Sequence, residues 1–104
     1  MADSIRVRTS HHDGITTVRS IIRHPMDTGL VPDPETGVVN PPHYIREVVC
    51  QHGDRTVLRC DWSRAVSRNP YLQFAFLGAA PGDIVSISWT DNLGESDTLS
   101  VRIA

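Results

Sequence analysis

Apolar side chains recur at every second position in short runs, and turn formers close each run before a helix of ordinary length could form. In residues 83–90, Val85, Ile87 and Trp89 fall on one face and Ser86, Ser88 and Thr90 on the other, the pattern of a half-buried strand. Leu72, Phe74 and Phe76 oppose Tyr71, Gln73 and Ala75 in the same way, and Leu99, Val101 and Ile103 oppose Thr98, Ser100 and Arg102. Ile5 and Val7, alternating with Arg6 and Arg8, predict a fourth strand, and residues 15–23 a fifth. Residues 44–51 and 56–62 predict a hairpin around Gly53-Asp54.

Seven strands in 104 residues predict an all-β, immunoglobulin-like sandwich of about seven antiparallel strands. A chain of this length is expected to form a single domain over residues 1–104. Two stretches break the alternation. Residues 24–43 hold five of the seven prolines and read as a long, partly extended loop, a common place for a functional surface. Residues 63–68 fit either a helical turn or a connection crossing between sheets.

Charge excludes one partner class. The net charge is −2 and the ten basic residues are all arginine, spread without a basic run, so nucleic acid is not expected. Nothing approaches the roughly 18 continuous apolar residues of a membrane span. The first residues show no secretory signal, which by itself suggests the cytoplasm.

Candidate chemistry is sparse. A two-residue turn at Gly53-Asp54 would pair Gln51 with Thr56 and Cys50 with Val57, placing Cys60 on the opposite face from Cys50. Two free, largely buried thiols are therefore expected, without a Cys-x-x-Cys pair to activate either. The five histidines, His11, His12, His24, His43 and His52, lie near predicted turns in no recognised metal-ligand spacing, so no metal or cofactor is expected. No nucleophile elbow, phosphate loop or paired-carboxylate motif is present, which favours a binding domain over an enzyme.

Most aromatic side chains fall on predicted core faces. Some strands carry apolar residues on both faces. Val18 and Ile22 oppose Ile15 and Ile21, while Val48 and Cys50 oppose Ile45 and Val49. Such a sheet would be covered on both sides, by the proline-rich loop or by another subunit.

Four segments resemble the SoxZ family of sulfur-oxidation proteins: His24-Pro25-Met26-Asp27-Thr28-Gly29, Val48-Val49-Cys50 before the Gly53-Asp54 turn, Asn69-Pro70-Tyr71-Leu72, and Ser88-Trp89-Thr90-Asp91. Cys60 departs from the family pattern, which has a small residue there. The resemblance implies a non-catalytic subunit that pairs with SoxY, whose mobile Gly-Gly-Cys-Gly-Gly arm carries the sulfur substrate, while other Sox enzymes dock transiently. This chain ends Val101-Arg102-Ile103-Ala104 without such an arm. The resemblance also implies a periplasmic location, reached by co-export with a signal-bearing SoxY.

The resemblance concentrates in His24, Pro25, Met26, Asn69, Pro70 and Tyr71, the candidate partner-binding residues, for which a fold-determining role is equally open. The competing readings are a free-standing immunoglobulin-like ligand-binding module, and a periplasmic metal-handling protein using His11, His12, His24 or Met26.

Overall fold

The computed structural model describes residues 3–104. Seven strands form: β1 (Ile5–His12), β2 (Ile15–Ile22), β3 (Ile45–His52), β4 (Arg55–Asp61), β5 (Tyr71–Leu77), β6 (Ile84–Asp91) and β7 (Ser96–Arg102). They make two antiparallel sheets, ordered β1-β2-β5 and β4-β3-β6-β7, packed as an immunoglobulin-like sandwich.

Local chemistry sets the hairpins. Asp13 and Gly14 both adopt positive φ (51° and 78°), as a two-residue turn matching the strand twist requires, and they join β1 to β2 with His12 opposite Ile15. Gly94 (φ 84°) closes the β6–β7 turn, where Asp91 N–H donates to the Glu95 carbonyl and Gly94 N–H to that of Asp91. The inward positions Val18, Ile22, Ile45, Val48, Cys50, Val85, Ile87 and Trp89 are buried between the sheets.

Two bulges change faces that strict alternation assigns. The register shifts between Ile45 and Glu47, so Ile45 is buried with Val48 and Cys50, and Val49 alone remains on the other side. In the β3–β4 hairpin Gln51 pairs with Thr56 as expected. The register then shifts, so Cys50 faces Leu58 and Cys60 faces Val48. The extra residue on β4 returns Cys60 to the core face, against the expectation that the cysteines point apart. They stand diagonally offset and both are free thiols.

Residues 24–43 form no regular element and are organised by isolated bridges, Asp27 with His43 and Pro32 with Val39. At the tip, Asp33 Oδ1 accepts the N–H groups of Glu35 and Thr36, a side-chain-capped turn. This loop does not cover the first sheet: Ile15 and Ile21 stay 44% and 47% exposed. Residues 63–68 contain no helix, only a turn in which Val66 N–H donates to the Ser63 carbonyl.

Candidate functional site

The candidate residues converge on one end of the sandwich. His24 lies two residues beyond the end of β2 and is clamped to Asn69 by two hydrogen bonds, His24 N–H to Asn69 Oδ1 at 3.1 Å and Asn69 N–H to the His24 carbonyl at 3.0 Å. Ile22 N–H donates to the Pro70 carbonyl beside them. Both Asn69 (φ 51°) and Met26 (φ 49°) occupy the left-handed region, a strained choice for Met that the surrounding contacts hold in place.

Met26 is fixed from two sides. Its N–H donates to His24 Nδ1 at 3.1 Å, and its Sδ accepts Ile45 N–H at 3.3 Å. Because Nδ1 of His24 accepts a main-chain proton, the ring's own proton lies on Nε2, which donates to Asp91 Oδ2 at 3.1 Å. His43 Nε2 reaches the same oxygen at 2.8 Å, with Glu95 Oε1 3.8 Å away.

Asp91 ends β6 and uses all its acceptor capacity. Oδ2 takes the two histidines, while Oδ1 accepts the N–H groups of Leu93 (3.0 Å) and Glu95 (2.8 Å), capping the β6–β7 turn. Burial pushes its carboxyl up, but the bonds from His24, the Glu95 amide, His43 and the Leu93 amide more than offset this and hold it below the usual aspartate value. The buried charge is thus compensated on every side.

The knot extends into the core and back to the loop. The His24 ring meets Trp89 edge-on at 5.1 Å and His43 at 4.6 Å. Trp89 Nε1 donates to Ser4 Oγ, whose hydroxyl donates to Asp97 Oδ2 at 2.6 Å. Asn92 pins the returning limb of the long loop: its Oδ1 accepts Tyr44 N–H and its Nδ2 donates to the Pro42 carbonyl, both at 2.9 Å.

The ligand atoms of His24, His43 and Asp91 lie within 4.8 Å of one another, a spacing that could hold a metal ion. The proton placement argues for a different role. A metal on His24 Nε2 would have to displace the ring's only proton while Nδ1 still faces the Met26 amide. Among the described residues no buried side-chain nitrogen or oxygen is left without a partner, so the cluster is complete as a hydrogen-bonded knot.

His24, Met26 and Pro70 are buried, Pro25 is half-buried, and Asn69 and Tyr71 are exposed. His11 and His12 lie at the far end of β2 from His24, so the four residues of the metal-handling reading are not brought together. His24 lies in the connection after β2, near a predicted turn, yet is only 1% exposed, and His52 is held by Asp83 Oδ2 at 2.8 Å. Sequence reasoning missed His43 and Asp91 as its partners. The signal was present in the Trp89-Thr90-Asp91 motif, which ends on the carboxylate that His24 binds.

The thiols are quiet. Burial, with a contribution from neighbouring Cys60, pushes Cys50 up to about 12. Burial and the Asp61 charge raise Cys60 as well.

The model of the family described as sulphur oxidation protein SoxZ matches residues 5–102. No curated protein matches the chain in sequence. Among solved structures, a hypothetical protein from Pyrococcus horikoshii is 15% identical with a TM-score of 0.61, covering 96% of this chain and 87% of its own. A superoxide reductase in the oxidised state is 13% identical with a TM-score of 0.58, covering 96% and 86%. The superoxide reductase (neelaredoxin) of Archaeoglobus fulgidus is 18% identical with a TM-score of 0.53, covering 96% and 85%. At these identities the likeness is one of fold.

Proposed function

The chain belongs to the SoxZ family and so has a role in the Sox sulfur-oxidation system, and from that premise we propose that it is the non-catalytic partner of a SoxY-like carrier subunit. The family match over residues 5–102 carries this reading. The chemistry of the chain supports it: the His24–Asp91–His43 cluster is spent on holding the fold, and the Cys50 thiol is buried and resists ionisation.

In this role the sandwich is a rigid platform. It binds the carrier, leaves the carrier's substrate-bearing arm free, and offers part of the surface on which sulfur-oxidising enzymes dock in turn. The location we propose is the periplasm, reached together with the carrier. Co-expression with a SoxY-like protein is expected to give a single one-to-one complex on size exclusion, and two separate peaks at micromolar concentration would overturn the reading.

A further inference from the structure

The outer face of sheet β1-β2-β5 is positively charged, apolar at both ends and uncovered. Arg8 on β1 stands directly opposite Arg19 on β2, and Arg6 opposite Ile21. A like-charged cross-strand pair costs the isolated sheet stability. Among the described residues the guanidiniums of Arg6, Arg8 and Arg19 meet no hydrogen-bond or ion-pair partner. The outward positions of the three strands include no aspartate or glutamate.

Large apolar groups frame this charge. Ile21 pairs with Tyr71 at one end and Ile15 with Leu77 at the other, and Tyr71 and Leu77 are 56% and 66% exposed. A shallow groove of about 510 Å³ runs between Arg6, Arg8, Arg19, Ile21 and Tyr71. In a chain whose net charge is −2, three unpaired arginines sharing a face with four exposed apolar side chains are a local reversal of character.

We propose that this face is where the carrier subunit docks, and that the matching carrier surface bears carboxylates flanked by aliphatic side chains. The inference rests on the proposed pairing with a carrier and adds the surface and the partner's chemistry. Charge complementarity selects the occupant. Carboxylates would supply the acceptors that Arg6, Arg8 and Arg19 lack, and aliphatic neighbours would cover Ile15, Ile21, Tyr71 and Leu77. A small free anion would engage the arginines and leave the apolar ends wet.

The test titrates purified carrier with the wild-type chain, with Arg8→Glu/Arg19→Glu and with the milder Arg8→Gln/Arg19→Gln, checking each fold by circular dichroism. Wild-type binding should weaken as salt rises, and the charge-reversed variant should lose roughly tenfold or more in affinity, the glutamine variant less. Tight wild-type binding that both folded variants retain would overturn the proposed face while leaving the pairing intact. No wild-type binding at all would overturn the pairing itself. A wild-type homodimer on light scattering that the variants abolish would assign the face to a second copy of this chain and contradict the proposal.

Discussion

His24 and Asp91 are 67 residues apart in the chain and meet at 3.1 Å inside it, through a ring proton whose position is fixed by the Met26 amide on the other side of the ring. That contact ties the end of β2 to the end of β6, and so one sheet to the other. Removing either partner leaves a buried polar group uncompensated. Asp91→Ala and His24→Ala should each cost roughly 3 kcal/mol or more in urea unfolding. The double variant should cost clearly less than the sum, because the second deletion removes a group already orphaned. Additive losses would mean that the two residues do not act through each other.

Acid should weaken the fold by a predictable route. Asp91 is held low as described. Asp83 is held low by the His52 bond and the Ala80 amide, and Asp97, despite burial that raises it, by the Ser4 hydroxyl and amide. Each carboxyl is easier to protonate in the unfolded chain than in the native one. Their stabilisation is present above the ordinary aspartate value of 3.8 and is lost as pH falls below it through the depressed native values. The urea midpoint should therefore decline in that window, and Asp91→Asn should flatten the decline. An unchanged slope in that variant would show that Asp91 does not carry the acid sensitivity.

The cysteines should be inert in the native protein. With Cys50 pushed up to about 12 and Cys60 also raised, very little thiolate exists at neutral pH. Iodoacetamide should label neither residue at an appreciable rate until urea unfolds the chain, as mass spectrometry would show. Rapid stoichiometric labelling of native Cys50 would contradict the packing described.

Gly29 should be intolerant of a side chain. Its φ is +81°, and a Cβ there would lie 2.7 Å from Cγ and 2.8 Å from Cδ of Pro42, where the two limbs of the long loop pass each other. Gly29→Ala is expected to lower stability by about 2 kcal/mol or more. Gly37→Ala, with a similar φ of +72° and open space around it, should cost only the backbone strain of about 1 kcal/mol. Equal losses on calorimetry would mean that the Pro42 contact relaxes freely.

The strands were legible because a period of two leaves its mark in every few residues, and all seven form where the alternation predicts them. The bulges were not legible. An extra residue at Val57 or Arg46 reverses facing without altering composition, which is why Cys60 and Ile45 were assigned to the wrong faces. The knot around Asp91 was hidden for another reason. His24, Asn69, Trp89 and Asp91 each stood in a family motif, but their meeting depends on how the long loop and the β4–β5 connection fold back, which no local period encodes. The structure gives the His24, Asn69 and Trp89 motifs an architectural role at one end of the sandwich. The exposed Arg8–Arg19 pair was not legible either, because only the β1–β2 register sets the two residues opposite each other.

We propose that this chain is needed for sulfur oxidation without performing any of its chemistry. Reconstituting thiosulfate oxidation from purified Sox enzymes and carrier tests it most directly, with the chain present, omitted, or supplied as a folded Cys50→Ala/Cys60→Ala variant. Turnover should collapse when the chain is omitted and be restored by the cysteine-free variant as well as by the wild type. Full turnover without the chain, or thiosulfate turnover by the chain without the carrier, would contradict it.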